Sequence, residues 1–158
     1  MNTVRKFTFL LGIALWQTFI FCPQTVRSQP LQTRFEKSGG KETATYPEII
    51  RYYEQLDKLS PRIKLFVKGP TDAGFPLHLA TWSNDGSADP ALWKKQGKLI
   101  LLIMNGIHPG EPDGIDASMM LLRDLHLKKI TIPDQIAIAI IPVYNIGGCV
   151  NRSPYYRV

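Results

Sequence analysis

A histidine and a glutamate stand three residues apart in a turn-forming segment, and this pair offers the clearest chemistry in the sequence. His108 and Glu111 are separated by Pro109 and Gly110, two residues that bend the backbone. An imidazole nitrogen and a carboxylate oxygen are both ligands of zinc, at about 2.0–2.2 Å each. If both side chains converge on one ion, His108 and Glu111 are two ligands of a zinc site.

The elements on either side of the pair indicate how it is positioned. Leu99–Met104 is a continuous apolar run, which is typical of a strand buried on both faces. A loop follows over Asn105–Gly114, and the sequence then predicts a buried helix over Ile115–Leu127. Ligands bind at the carboxyl ends of strands in open α/β sheets. An isolated His-x-x-Glu pair is better explained by a capped loop histidine and a glutamate that starts the next helix, so the metal hypothesis depends on the elements around the pair.

The remaining pattern predicts the fold class. Apolar spacing predicts a helix over Tyr46–Leu59, and alternation predicts short strands over Ile63–Val67 and Leu77–Trp82. Turn residues mark 84–97 as a loop, and Ala137–Val143 is a second fully apolar strand. Strand, helix and strand in this order predict an α/β fold. We expect a three-layer α/β/α arrangement with a mixed, largely parallel sheet that is incomplete in this chain.

The first residues have the three-part layout of a secretory signal peptide. Met1–Lys6 is basic, Phe7–Phe21 is mostly apolar, and a small residue, Ser28, lies at the expected cleavage point. The apolar run is shorter than the roughly 20 residues of a membrane span. We predict a signal peptide over 1–28, a flexible lead-in over 29–45 and the folded domain over 46–158.

These boundaries predict an exported protein, secreted or periplasmic, with no membrane span after signal removal. A lipid anchor at Cys22 is the alternative, although the preceding Phe21 is bulkier than lipoprotein signals favour. Cys149 then has no partner for an internal disulfide and is predicted to be a small packed residue. Part of the net charge of +6 lies in residues 1–28, which contain Arg5, Lys6 and Arg27 and no acidic residue. The remaining charge is dispersed along the chain, so no nucleic-acid partner is expected.

The segment Asn105–Pro112 resembles the zinc-binding loop of the carboxypeptidase A type metallocarboxypeptidases, in which a Gly-Ile-His-x-x-Glu stretch supplies two of three protein ligands. Gly69–Leu77 resembles that family's turn into its second strand. Ile141–Asn145 resembles a strand end that usually reads Asn-Pro-Asp-Gly, and lacks its Pro-Asp. The resemblance covers roughly 46–158 and implies that the chain is the N-terminal part of such a catalytic domain.

The resemblance implies a zinc-dependent metallocarboxypeptidase that hydrolyses C-terminal residues from peptides or proteins with one Zn²⁺ ion. His108 and Glu111 match the metal ligands. Arg157 best matches the arginine that stabilises the oxyanion, with Arg152 as the competing assignment. The family's clamp for the substrate's terminal carboxylate is not assigned to any residue here.

The third ligand that the resemblance requires is not evident in the sequence. His78 and His126 are the other histidines, and both are expected to be packed or surface residues. We therefore expect this chain alone to be inactive and poorly folded. Two alternatives stay open: a related zinc deacylase or amidase acting on small acyl-amino acids or cell-wall peptides, and a non-catalytic exported α/β module.

Overall fold

The computed structural model describes residues 31–108 and 110–152. The signal peptide predicted over 1–28 and the candidate Arg157 lie outside these residues. Within them the chain forms four strands and five helices. Their order is α1 (Arg34–Lys37), α2 (Tyr46–Leu59), β1 (Ile63–Pro70), β2 (Pro76–Trp82), α3 (Pro90–Lys95), β3 (Leu99–Met104), α4 (Asp113–His126), β4 (Ile136–Ile141) and α5 (Ile146–Val150).

The four strands form one sheet in the order β1-β2-β4-β3. β1 and β2 form an antiparallel hairpin, β2 runs antiparallel to β4, and β3 runs parallel to β4. The α/β class and the mixed sheet are therefore confirmed. The parallel share is smaller than predicted, because the hairpin and the β2–β4 pairing make two of the three pairings between described strands antiparallel.

Helix α2 forms where the apolar spacing predicts it. Ile49, Tyr53 and Leu56 lie on one face and are fully buried, and they join a core with α4 and the sheet. At the start of the helix, the Glu48 carboxylate accepts hydrogen bonds from the backbone N–H and the hydroxyl of Thr45, both at 2.8 Å. Such a cap satisfies a backbone donor that the helix leaves free.

The two apolar strands differ in burial, contrary to the prediction that both are buried. β4 has strands on both sides, and its four central residues are buried. β3 is instead the edge of the sheet, where Leu99 is 70% exposed and Leu102 is 55% exposed. The prediction for β3 was wrong for the described part of the chain, because an apolar run reports side-chain polarity and does not reveal which neighbours cover it.

The segment predicted as a flexible lead-in contains regular structure. Thr33 and Glu36 cap α1 reciprocally, and the Arg123 guanidinium on α4 donates hydrogen bonds to the Glu36 carboxylate and to the Leu31 carbonyl. The Tyr52 hydroxyl donates to the same carbonyl at 2.9 Å. Side-chain contacts thus fix a polar segment that has no apolar periodicity.

Two other short helices were not predicted. The Asp89 carboxylate accepts from the Ala91 N–H and begins α3 within the expected loop, while the Asn145 amide oxygen accepts from the Gly148 N–H and begins α5. Both helices are six residues or shorter, too short for a periodic pattern to appear. No helix among the described residues is long and apolar enough to cross a membrane.

Candidate metal centre

The candidate metal loop, residues 105–112, begins at the carboxyl end of β3. Its first residue, Asn105, is buried and held in position by hydrogen bonds. The Asn105 side chain donates to the Ser118 hydroxyl on α4 at 2.9 Å. Its backbone carbonyl accepts from the Tyr144 N–H at 2.7 Å, and its N–H donates to the Ile141 carbonyl. Asn105 therefore joins the ends of β3 and β4 to α4.

Two glycines allow the loop to pack closely against its neighbours. Gly106 has φ +63°, and a Cβ there would lie 3.2 Å from Ile115 and 3.3 Å from Val143. A Cβ on Gly114 would lie only 2.9 Å from the Asn105 amide oxygen. Both positions favour glycine on steric grounds, the first also because of its left-handed backbone.

The loop brings His108 and Glu111 together. The Glu111 N–H donates to the His108 carbonyl at 2.9 Å, and this turn places both side chains on the same side. His108 Nδ1 lies 3.7 Å from Glu111 Oε2, and each side chain is 51% exposed. Both groups therefore face solvent, where an ion and its bound water have access.

This separation fits two ligands of one zinc ion. Two donors at about 2.0–2.2 Å from a tetrahedral ion lie roughly 3.4 Å apart. A small rotation of either side chain would bring His108 Nδ1 and Glu111 Oε2 from 3.7 Å to that separation. The donor types, one imidazole nitrogen and one carboxylate oxygen, also suit zinc. Among the described residues no group of three histidine, cysteine or acidic side chains could hold a metal. A complete site would need a third ligand from elsewhere.

The other two histidines have structural surroundings. His78 is buried in β2, and its Nδ1 lies 3.4 Å from the Tyr46 hydroxyl. Burial lowers the pKa of His78, although a hydrogen bond with the backbone of Pro76 partly opposes that shift. His126 is the last residue of α4, at the end of the helix opposite the loop.

Arg152, the alternative oxyanion arginine, is held by structural contacts. Its guanidinium donates to the Ala44 carbonyl at 3.4 Å and to Cys149 Sγ at 3.2 Å. Cys149 is buried and forms no disulfide with any described residue. These contacts place Arg152 beside the start of α2. Arg157, the preferred candidate, lies outside the described residues.

Sequence reasoning assigned no role to Asn105, although it holds the metal loop in place. Its signal is a polar residue directly after an apolar run and before a glycine. At the end of a strand such a side chain faces buried backbone groups that need hydrogen-bond partners.

Solved carboxypeptidases share this fold. Carboxypeptidase A from Helicoverpa armigera matches with a TM-score of 0.61 and 19% identity, over 72% of this chain and 28% of that one. Bovine thrombin-activatable fibrinolysis inhibitor, solved in complex with tick carboxypeptidase inhibitor, matches with a TM-score of 0.58 and 15% identity, over 73% of this chain and 36% of that one. Another structure of thrombin-activatable fibrinolysis inhibitor matches with a TM-score of 0.55 and 17% identity, over 70% and 28%.

At these sequence identities, the similarity to the solved structures shows a shared fold and no more. This chain spans about a third or less of the length of those structures. No protein-family model matches it, and no curated protein matches it by sequence.

Proposed function

We propose that this chain is the metal-binding N-terminal part of a zinc-dependent metallocarboxypeptidase that is exported and removes C-terminal residues from peptides or proteins. One observation carries the proposal: His108 Nδ1 and Glu111 Oε2 lie 3.7 Å apart at the carboxyl end of a strand. The fold that presents them is shared with solved carboxypeptidases.

In the proposed mechanism, His108 and Glu111 would hold the ion, and Asn105 fixes the loop that carries them. Zinc bound there would supply a Lewis acid and would lower the pKa of its bound water toward 7. Arg157 would donate hydrogen bonds to the carbonyl oxygen of the scissile bond as negative charge develops on it. A third ligand and a general base would come from residues outside the described part of the protein.

The test is zinc content together with peptide hydrolysis, measured on the intact gene product. Wild-type protein should hold one zinc ion per chain by elemental analysis and should shorten a peptide from its C-terminus, as seen by mass spectrometry. His108→Ala and Glu111→Ala should each lose most of the zinc, and with it at least about a hundredfold in hydrolysis, because a ligand is removed outright.

His126→Ala provides the matched control, because it removes an imidazole at the far end of α4. It should keep both zinc and activity. Full zinc occupancy in the His108→Ala and Glu111→Ala proteins would refute the metal site. Cleavage of acyl-amino acids without cleavage of peptides would instead indicate a deacylase.

A further inference from the structure

A cavity of about 400 Å³ opens beside the candidate metal loop, at the carboxyl edge of the sheet. Three loops form it: the β1–β2 turn, the start of the β3–α4 loop and the β4–α5 connection. The lining includes Thr71, Asp72, Leu77, Ile107, Tyr144 and Ile146, of which Leu77 lies at the start of β2 and Ile146 is the first residue of α5. Because Ile107 directly precedes His108, the cavity wall begins one residue from the proposed metal ligand.

Contacts within and between these loops fix their positions. The Asn145 N–H donates to the Gly106 carbonyl at 3.1 Å, which fixes the β4 side of the cavity against the β3 side. The Thr71 hydroxyl donates to the Phe75 carbonyl at 2.6 Å and closes the β1–β2 turn on itself. That turn packs on α5, where a Cβ on Gly147 would lie 3.5 Å from Ala73. The cavity is therefore preformed, as ligand sites usually are.

The lining combines apolar side chains with one carboxylate. Leu77 and Ile107 form an apolar wall of the cavity, and Tyr144 is 53% exposed. Asp72 is exposed, and among the described residues its carboxylate has no hydrogen bond or ion pair. A long side chain with an apolar stem and a cationic head matches this arrangement, since its head can pair with Asp72 or lie over the Tyr144 ring.

We propose that this cavity binds a lysine or arginine side chain of the peptide substrate and thereby selects peptides with a basic residue near the scissile bond. The role of this cavity in substrate selection rests on the proposed peptidase function. The binding itself depends only on Asp72, Tyr144 and the apolar wall. Asp72 and Tyr144 are then specificity residues outside the metal-binding pair.

The test compares peptides that differ only in charge. Zinc-loaded intact protein is given hexapeptides with a single arginine or a single norleucine at each of the three positions before the C-terminal residue. At one position arginine should be preferred up to about fivefold in kcat/KM, because one exposed charge pair contributes up to about 1 kcal/mol. Asp72→Asn should reduce that preference to about twofold or less while leaving the norleucine peptide unchanged.

Glu54→Gln is the matched control, because Glu54 is an exposed carboxylate on α2 outside the cavity. It should keep the full preference for arginine. An arginine preference that survives Asp72→Asn, or an equal loss for both peptides, would overturn the assignment. So would the absence of any arginine preference in the wild-type protein.

Peptide binding to the His108→Ala protein separates this inference from the peptidase proposal. Fluorescence anisotropy of labelled peptides reports binding where hydrolysis is disabled. If wild-type protein hydrolyses nothing but binds the arginine peptide in an Asp72-dependent way, the peptidase proposal fails and the cavity assignment stands. If hydrolysis occurs and neither binding nor selectivity depends on Asp72, the cavity assignment fails alone.

Discussion

The two edges of the sheet differ in how they meet solvent. At the β1 edge, the Leu65 N–H donates to the Asp57 carboxylate on α2 at 3.0 Å, and Lys64 pairs with the same carboxylate. The strand also carries a register shift between Val67 and Gly69. Charges and irregular pairing are how natural proteins protect an edge strand from further pairing.

The β3 edge has none of these features among its described residues. Leu99–Met104 is apolar throughout and regularly paired with β4 on one side, and five of its six residues are exposed. The comparison teaches that β1 is built as an edge and that β3 has the sequence of an interior strand. The strand that presents His108 is thus the one whose outer side is uncovered in the described part of the chain.

The largest expected contrast is between two aliphatic residues, one on each edge strand. Ile63 on β1 is fully buried, whereas Leu101 on β3 is 51% exposed. Ile63→Ala should lower the free energy of unfolding by about 3 kcal/mol, because it leaves a cavity in packed surroundings. Leu101→Ala should cost about 1 kcal/mol or less, since much of its surface is already in water.

Urea unfolding of the 158-residue chain followed by circular dichroism measures both losses if the wild-type chain unfolds cooperatively. A non-cooperative transition in the wild-type chain would instead agree with the expectation that the chain alone is poorly folded. Equal losses would mean that Leu101 is as well packed as Ile63, and the contrast between the edges would be wrong. A larger loss for Leu101→Ala in a longer form of the protein would show that further polypeptide covers β3.

The next effect concerns how the β1 edge is protected. Asp57→Ala removes the acceptor of the Leu65 N–H and the partner of Lys64. We expect a loss of about 2 kcal/mol in the free energy of unfolding, the usual size for a partly buried hydrogen bond to a charged group. Asp57→Asn should recover part of that loss because its amide oxygen still accepts the hydrogen bond. No difference between the two variants would exclude the carboxylate as the group that caps the strand.

A third expected effect is on self-association. Leu102→Lys places a charge on the exposed β3 edge, and Val67→Lys places the same charge on β1, where Val67 is 66% exposed. Leu102→Lys should weaken association of the chain by about tenfold, because a charged edge resists strand pairing. Val67→Lys should change it little. Sedimentation velocity over a concentration series measures this, and equal effects of the two lysines would show that association does not use the β3 edge.

The sequence predicted those parts of the fold whose pattern reflects local packing. The face of α2 and the buried strand β4 follow directly from apolar spacing. The exposure of β3 was not predictable, because its residues are equally apolar whether or not a neighbour covers them. The helices α3 and α5 begin at single capping side chains, Asp89 and Asn145, and α1 is capped reciprocally by Thr33 and Glu36. Such caps leave no periodic signal.

The candidate site, like the fold, was predictable from the sequence only in part. His108 and Glu111 were identified from residue type and spacing, and the structure places their side chains 3.7 Å apart. Their service as metal ligands stays a prediction, as does the role of Arg157. The cavity that includes Asp72 could not be predicted, because it is formed by three loops that are distant in sequence and meet only in the folded sheet.

The smallest expected effect is on the pH dependence of stability, and it should distinguish the β1–β2 side of the sheet from the β3 edge. Burial lowers the pKa of His78, so the unfolded chain binds its proton more readily than the folded chain does. Stability should therefore be complete above the ordinary histidine pKa of about 6.5 and should decline as the pH falls below it. Because His78 lies in β2, beside the protected edge, this decline should appear in global unfolding and leave association through β3 unchanged.

Urea unfolding at pH 7.5 and pH 5.5 measures this decline in stability. The difference should shrink in His78→Gln and persist in His126→Gln, and an unchanged difference in His78→Gln would assign the pH response to other groups.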